Sequence, residues 1–310
     1  MQIRRGFEPC RDADPGRAVA IGNFDGVHLG HQAILAVLQE RGRELRLPTA
    51  VVCFEPQPKE FFARDSAPAR LMRLSDKAER IAEAGIDELR VLGFDAKLAG
   101  LDAEGFIECV LLRALRTKQV VIGEGFRFGS GRGGDVELLR RAGATCGFNV
   151  QTVPPCMQSG RAVSSTRVRE VIAAGRLDEA KGLLGRDFRI TGRVIEGQKL
   201  GRTLGFRTAN LRLHRRVSPV AGIYAVRATG AGLTRHPGVA SVGTRPTVGG
   251  REWLLEVHLF DYDGALYGQR LCVDFIAWLR DEIRFPDVEA MTAQMHEDAR
   301  LARKLLAARG

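Results

Sequence analysis

The feature that most limits the fold is an alternation of short apolar runs with amphipathic stretches over residues 1–184. Four of the runs have the composition of strands buried on both faces, as the central strands of a parallel sheet are. Between them, three stretches carry apolar residues at three-and-four spacing, which predicts helices. The predicted strands are residues 18–22, 50–54, 89–93 and 119–123, and the predicted helices are residues 32–43, 75–84 and 103–115. This order indicates a doubly wound, Rossmann-like α/β domain that binds its ligand outside the carboxyl ends of the strands.

The pattern changes near residue 185. Short segments rich in β-branched and aromatic residues follow, separated by Gly and Pro turns, which is typical of an antiparallel barrel or sandwich. These segments are residues 188–195, 222–228, 252–260 and 270–279. Residues 287–308 contain neither Gly nor Pro and predict a C-terminal helix. We therefore predict two domains, residues 1–184 and 185–310.

The chain carries 47 Lys and Arg against 37 Asp and Glu, a formal net charge of +10. This charge attracts polyanions, and it leaves open a basic nucleotide- or RNA-binding protein without turnover. Aromatic residues make up only 6%, and no stretch interleaves them with basic residues, so we expect no nucleic acid partner. The scattered cysteines and the lack of a long apolar stretch predict a cytoplasmic protein without membrane contact. A homo-oligomer is compatible with the sequence.

The strongest chemical signal is Gly-Asn-Phe-Asp-Gly-Val-His-Leu-Gly-His at residues 22–31, between the first predicted strand and the first predicted helix. Its glycines allow tight turns, and the start of the helix supplies free amides, a geometry that favours phosphate. His28 and His31 are spaced to donate hydrogen bonds to phosphate oxygens as charge builds at the reacting phosphorus. The alternative interpretation is that the two histidines merely cap the helix.

A second phosphate candidate is Ser-Ser-Thr-Arg-Val-Arg at residues 164–169. Its hydroxyl residues open a predicted helix, and Arg169 lies one turn inside, where it would neutralise a triphosphate. On its own, such a segment is more often a helix cap followed by a surface arginine. Together, the two segments favour a nucleotide-phosphate site.

In the C-terminal half, a basic segment punctuated by glycines spans residues 192–210. It lacks the residue order of a P-loop, so we expect a different phosphate-binding geometry. Thr208 and Asn210 lie two residues apart, so in an extended chain their side chains point the same way and could share a Mg²⁺ with nucleotide oxygens. Without other context, Thr-Ala-Asn is typical of a turn.

Taken together, these motifs resemble those of bacterial bifunctional riboflavin kinase/FAD synthetases, and the resemblance extends over essentially the whole chain. Further motifs that carry it lie at residues 54–58, 123–129, 222–226, 243–247 and 256–258. The resemblance implies two reactions. ATP and riboflavin give FMN and ADP in the C-terminal domain, and ATP and FMN give FAD and diphosphate in the N-terminal domain.

The resemblance also implies roles for individual residues of the N-terminal domain. The implied ATP site comprises Gly22, Asn23, Phe24, Asp25, His28, His31, Ser164, Ser165, Thr166 and Arg169. Among these, His28, His31 and Arg169 would act on the reacting phosphates. The candidate flavin contacts are Pro56, Phe62, Gly125 and Phe128, although a proline or phenylalanine at such a position is equally compatible with a core role.

In the C-terminal domain the resemblance implies ATP binding by Gly201, Thr208 and Asn210. The last two would also hold Mg²⁺. Glu256 would be the general base that takes the proton of the ribityl hydroxyl. The alternative for Glu256 is a strand carboxylate that faces water.

Three positions depart from the family pattern. Gly125 stands where the family usually carries Asp or Asn, so it offers no side chain to bond the flavin. Arg207 replaces a proline just before Thr208, which removes a fixed φ and either loosens the Mg²⁺ site or adds a phosphate contact. Ser241 stands where related sequences often carry Asn. These departures leave open that only one of the two activities is retained.

Overall fold

The computed structural model describes residues 1–9, 15–196, 206–213, 216–247 and 250–309. It divides into two compact units. The first comprises Met1–Pro68 and Met72–Ser164, and the second comprises Ala69–Leu71 and Ser165–Gly310. Among the described residues, no helix combines the length and the apolar character needed to cross a membrane.

The first unit is an α/β fold. Its sheet strands are β1 (Gln2–Arg5), β2 (Arg17–Ile21), β3 (Thr49–Glu55), β4 (Glu88–Gly93), β5 (Thr117–Gly123) and β6 (Asn149–Val153). Its helices are α1 (Leu29–Leu45), α2 (Pro58–Phe62), α3 (Leu74–Glu83), α4 (Ala96–Ala99), α5 (Ala103–Phe106), which continues as the π-helix Ile107–Ala114, and α6 (Val136–Cys146). A small hairpin, β7 (Met157–Gln158) and β8 (Arg161–Ala162), follows β6.

The sheet is parallel and has the order β1-β4-β3-β2-β5-β6. The chain passes from β2 to β3 on one side, whereas β5 pairs with β2 on the other side. The carboxyl end of β2 is therefore the topological switch point, where folds of this class bind ligands. The loops that follow β2 and β5 both open there.

The four predicted strands of this unit and its three predicted helices are confirmed, with shifts of a few residues at their ends. The strands missing from the prediction, β1 and β6, are the two edges of the sheet. β1 is exposed along its whole length and β6 is largely half-buried, so neither has the continuous apolar run of a central strand. The core packs the sheet against α5, the π-helix and α6, through residues such as Val19, Ile122 and Leu111.

In the residues that the structure describes, the second unit contains a closed antiparallel barrel and three helices. Its strands are β9 (Phe188–Ile195), β10 (Thr208–Arg212), β11 (Gly222–Gly230), β12 (Leu233–Thr247), β13 (Gly250–Leu259) and β14 (Arg270–Arg280), in the order β10-β13-β12-β11-β14-β9. Its helices are α7 (Ser165–Ala173), α8 (Leu177–Leu184) and α9 (Val288–Ala307). The predicted fold class, an α/β domain followed by an antiparallel barrel with a C-terminal helix, is confirmed.

Side chains alternate along the barrel strands as the pleat requires. On β13, Leu255, Val257 and Leu259 are buried in the interior, whereas Glu256 and His258 lie between them on the outer face. Helix α9 packs outside the barrel, where Ala302 and Leu306 join a core with Ile223. The outer face of the barrel near α9 therefore presents both polar and apolar side chains.

Candidate active sites

The loop between β2 and α1 turns sharply at the switch point. Phe24 has φ 48°, Gly26 has φ 84° and Val27 has φ 39°, all in the left-handed region. Only glycine adopts this region without strain, so packing must hold the other two in place. Phe24 and Val27 are both buried, which supplies that packing. Strained backbone of this kind clusters at ligand sites.

Asp25 fastens the loop from inside the unit. Its side chain is buried, and Oδ1 accepts a hydrogen bond from the Met72 N–H at 3.1 Å. Because α3 begins at Leu74, this bond ties the loop to the start of α3. The predicted contact of Asp25 with ATP stays a prediction.

His28 and His31 form a stacked pair at the start of α1. Their ring centroids lie 3.7 Å apart at an interplanar angle of 19°. His28 is the N-cap of the helix, and its Nδ1 accepts a hydrogen bond from the His31 N–H at 3.3 Å. The capping interpretation is therefore correct for His28. Because Nδ1 accepts this bond, the ring proton of a neutral His28 lies on Nε2, which acts as a donor.

His31 is held in its neutral form. Burial lowers the pKa of its imidazole well below the usual value, and the positive charges of His28 and Lys77 lower the pKa further. Within the described part of the chain, His31 Nδ1 and Asn23 Oδ1 are buried and have no hydrogen-bond partner. Since buried polar atoms normally have partners, these two atoms indicate a place that a ligand or water completes.

The second predicted phosphate segment falls at the division between the units. Ser164 ends the first unit, and Ser165 begins both the second unit and α7, the helix that the sequence predicts here. Within the second unit, Arg169 Nε donates a hydrogen bond to the Ala69 carbonyl at 2.5 Å. The phosphate contacts of Ser164, Ser165, Thr166 and Arg169 stay predictions.

The four flavin candidates differ in exposure. Phe62 is 68% exposed and contacts Phe61 and Phe94 edge to face, whereas Phe128 is buried against Phe106 and Phe126, in agreement with a core role. Pro56 follows β3 after a cis peptide bond. Gly125 follows β5, and a Cβ added there would meet no atom within 4 Å.

In the second unit, strand register gathers the predicted kinase residues on the outer face of the barrel. Asn210 pairs with Glu256, which pairs on its other side with Ser241. The next row consists of Thr208, His258 and Val239. Directly paired residues of antiparallel strands project on the same face, so these rows form one surface. The Thr-Ala-Asn segment is the start of β10 and not a turn.

Two cavities meet at Thr208. The first, of about 240 Å³, is lined by both polar and apolar residues, among them Arg207, Asn210 and Tyr262. The second, of about 270 Å³, is lined by Phe206, Ile223, Phe285, Met291 and Met295, with Glu256 at its polar side. Thr208 lines both cavities, so ligands in the two would lie side by side.

Two carboxylates lie at the second cavity. Arg245 Nη2 contacts Glu256 Oε1 at 2.5 Å, which orients the predicted base. Burial raises the pKa of Glu282, and the charge of Glu256 adds to this, while a hydrogen bond from Ser241 Oγ at 3.3 Å opposes it. A Cβ at Gly243 would collide with the Glu282 carboxylate unless that side chain moved aside.

Arg207 is held by contacts that take the place of a rigid proline. Its carbonyl accepts a hydrogen bond from His258 Nδ1 at 2.9 Å, and its guanidinium donates one to the Asp263 carbonyl at 3.4 Å. Thr208 therefore enters β10 from a tethered residue. Gly201, the other predicted ATP contact of this segment, lies outside the described residues.

The residues present fit a Mg²⁺ ion that is bound mostly by phosphate and water. In the described ranges, no group of three or more His, Cys, Asp or Glu could hold a metal by itself. Asn210 Nδ2 donates to the Thr208 carbonyl at 3.4 Å, and its Oδ1 has no hydrogen bond to any residue that the structure describes. Oxygen donors of this kind suit Mg²⁺, which usually takes few protein ligands and keeps several waters.

Comparison with known proteins assigns the two folds to two enzyme families. The FAD synthetase family model matches residues 10–167, and the riboflavin kinase family model matches residues 184–306. The bifunctional riboflavin kinase/FMN adenylyltransferase of Escherichia coli (strain K12) is 46% identical over 305 residues, which cover 98% of this chain and 97% of that protein. This chain belongs to the bifunctional riboflavin kinase/FMN adenylyltransferase family.

Other comparisons agree with this membership. The family member of the same description from Haemophilus influenzae is 45% identical over 303 residues, which cover 98% of both chains. A solved structure described as a macrolide-efflux protein from Streptococcus pneumoniae has a TM-score of 0.82 at 29% identity, covering 98% of this chain and 99% of that one. The resemblance inferred from the motifs is thus confirmed for the family and for the fold.

Four residues that contact these sites were given no role by the sequence. In the first unit this is Lys77, and in the second unit they are Arg245, Arg280 and Glu282. For Arg245 the available signal was the motif at residues 243–247, and for Arg280 it was strand register, because Arg280 pairs with Ile223 at the end of β14. Glu282 lies two residues beyond that strand. Lys77 lies in an ordinary amphipathic helix pattern, which gives no such signal.

Proposed function

We propose that this chain makes flavin cofactors by two successive reactions. Riboflavin and ATP give FMN and ADP on the barrel, and FMN and a second ATP give FAD and diphosphate on the α/β unit. The observation that carries the proposal is that each matched family falls on its own fold and its own candidate site. The substrates are small molecules, and we expect no nucleic acid partner and a cytoplasmic location.

For the kinase reaction, we assign ATP to the first cavity, which Arg207 and Asn210 line, and riboflavin to the second. The phenylalanine and methionine side chains of the second cavity suit an aromatic ring system. Glu256, at the edge of that cavity, takes the proton of the ribityl hydroxyl as its oxygen bonds the γ-phosphorus and ADP leaves. The contact with Arg245 orients the carboxylate for this transfer.

Thr208 and Asn210 lie where the two substrates would meet, and we assign Mg²⁺ to their side-chain oxygens. Mg²⁺ bound there would offset the charge of the phosphate chain. The hydrogen bond between the Asn210 amide nitrogen and the Thr208 carbonyl turns the amide oxygen outward to bind it. Gly201 completes the proposed ATP contacts of this half by resemblance.

For adenylyl transfer, an oxygen of the FMN phosphate bonds the α-phosphorus of ATP, and diphosphate leaves with the electron pair of the broken bond. His28 and His31 act as hydrogen-bond donors to the reacting phosphate. The partnerless Asn23 Oδ1 and His31 Nδ1 support a ligand at this loop. Ser164, Ser165, Thr166 and Arg169 are assigned to the same ATP on the strength of the motif.

In this half, we propose that the flavin binds to the segments that follow β3 and β5. Its proposed contacts there are Pro56, Phe62, Gly125 and Phe128. Gly125 has no side chain to contact the flavin. A Cβ at this position would meet no atom within 4 Å, so nothing in the structure crowds a larger residue there. We place the functional boundary between the two activities at residues 184 and 185. The start of the riboflavin kinase match at residue 184 and the start of β9 at Phe188 support it.

The test is to incubate the purified full-length protein with riboflavin, ATP and Mg²⁺ and to separate the flavins by chromatography over time. We expect FMN to appear first and FAD to follow. Recovery of riboflavin alone would contradict the proposal. FMN that never becomes FAD would limit the chain to kinase activity, and FAD formed only from supplied FMN would limit it to adenylyl transfer. Chelation of Mg²⁺ is the control.

A further inference from the structure

Lys77 is a buried lysine in the first unit to which the proposed mechanism gives no task. It lies in the first turns of α3, and only 1% of its surface is exposed. Within the part of the chain that the structure describes, its side chain makes no hydrogen bond and no ion pair. A buried ammonium group without a partner is strongly unfavourable, and a negatively charged ligand would supply the partner that it lacks.

The position of Lys77 indicates which ligand it would bind. Its charge lowers the pKa of His31, so its ammonium lies within electrostatic range of that ring. The hydrogen bond from Met72 to Asp25 fastens the start of its helix to the loop after β2. Lys77 therefore lies beside the loop in which Asn23 Oδ1 and His31 Nδ1 are buried without partners.

The chemistry of the loop also needs a positive charge that the histidines do not supply. His31 is buried and stacks on His28 with 3.7 Å between ring centroids, so protonating both rings is disfavoured. A neutral imidazole donates one hydrogen bond but carries no net charge. The phosphate chain of ATP is multiply anionic, and its departure as diphosphate adds further negative charge. Lysine is a point charge well suited to phosphate.

We propose that Lys77 binds the phosphate chain of ATP in the first unit and stabilises the diphosphate that leaves during adenylyl transfer. The inference rests on the proposed adenylyltransferase function and adds to it a positively charged side chain that binds phosphate. When the bond between the α-phosphorus and its bridging oxygen breaks, the electron pair goes to the diphosphate, where the ammonium group contacts it.

The test compares three variants of the full-length protein: Lys77→Met, Lys77→Arg and, as the matched control, Lys118→Met, which removes an exposed lysine of β5. Adenylyl transfer is run backwards, from FAD and inorganic diphosphate to FMN and ATP, so that KM reports on diphosphate alone. We expect Lys77→Met to raise this KM at least about tenfold, Lys77→Arg to raise it less, and Lys118→Met to leave it unchanged. A Lys77→Met protein with the diphosphate KM and kcat of the control would overturn the inference.

Two further measurements keep the inference separate from folding and from the proposed function. If Lys77→Met unfolds, the ¹⁵Nζ resonance of Lys77 in the unchanged protein is followed during titration with diphosphate. We expect it to shift in step with binding, and a resonance that does not move overturns the inference. If the unchanged protein transfers no adenylyl group in either direction, the proposed function fails, and the same titration still decides whether Lys77 binds diphosphate.

Discussion

The two units form their candidate sites in different ways. In the first unit, Asn23, His28 and His31 come from one continuous stretch, the loop and first helical turn after β2. In the second unit, Asn210, Glu256 and Ser241 come from three different strands and meet because the strands pair in one register. The residues of a site in one loop are close together in the sequence and form a motif, whereas the residues of a site on the face of several strands are scattered along the chain.

The sites also differ in charge. The first presents two imidazoles, of which His31 is held neutral, beside a buried lysine, a composition suited to a substrate that arrives and leaves as an anion. The second presents two carboxylates beside arginines, and one of them, Glu256, is placed to receive a proton. The comparison predicts that each activity can be removed without affecting the other.

The largest effect is expected from Glu256→Gln, which removes the proposed proton acceptor of the kinase. Riboflavin phosphorylation should fall by about 10²–10⁴-fold, the usual contribution of general-base catalysis. FAD formation from supplied FMN should be unchanged. The matched control is Glu252→Gln, which removes a carboxylate of the same strand that pairs with Arg212 at 3.5 Å. A kinase rate equal to that of the control would refute the role of Glu256.

The converse separation is expected from His31→Asn. The rate of FAD formation from FMN should fall by about 10²–10³-fold, because a positioned donor at the reacting phosphate is lost. Riboflavin phosphorylation by the same preparation is the internal control and should not change. A parallel loss of both reactions would instead indicate damage to the whole chain.

A smaller effect is expected from Arg207→Pro. His258 and Asp263 already tether this residue, so a proline adds little order. Proline at a compatible position changes free energies by about 0.4–1 kcal/mol, so kcat/KM for riboflavin should stay within about fivefold of the original value. A gain of more than tenfold would show that the arginine had impaired the kinase.

The smallest effect concerns stability. Because the pKa of Glu282 is raised in the folded protein from its usual value of 4.5, the folded state binds this proton more tightly than the unfolded chain does. The free energy of unfolding therefore falls as the pH rises from the usual value toward the raised one. The Glu282→Gln variant has no carboxylate to lose this proton, so its free energy of unfolding does not fall in this way. As the pH rises through the window, its melting temperature should therefore increase relative to that of the unchanged protein, by at most about 3 °C.

The measurement is a melting curve at several pH values on both sides of the window. Glu40→Gln, at an exposed position on α1, serves as the control and should show a difference that does not vary with pH. A difference for Glu282→Gln that is equally flat would mean that the carboxylate is not perturbed.

The elements that could be predicted from the sequence are those whose residues are buried or exposed in a regular pattern. Central strands such as β5 contain a buried apolar run, here Val120–Ile122, and this run identifies them. β12 contains two glycines and two prolines, so its composition did not predict a strand, and the barrel partners β11 and β13 stabilise it. In the candidate sites, consecutive motif residues were predicted, whereas the place of Lys77 beside His31 depends on packing between distant segments.

The hydrogen bond that begins α1 makes His28 a difficult position to change, in the laboratory or by natural variation. Asn, Asp or Ser could accept the amide proton and keep the helix start intact, yet none presents a ring nitrogen to the nucleotide. A tyrosine or lysine would keep a donor and release the helix. Under the proposed function, a single imidazole would couple the order of a helix to the recognition of a substrate, and a fault in either one would be observed as a fault in both.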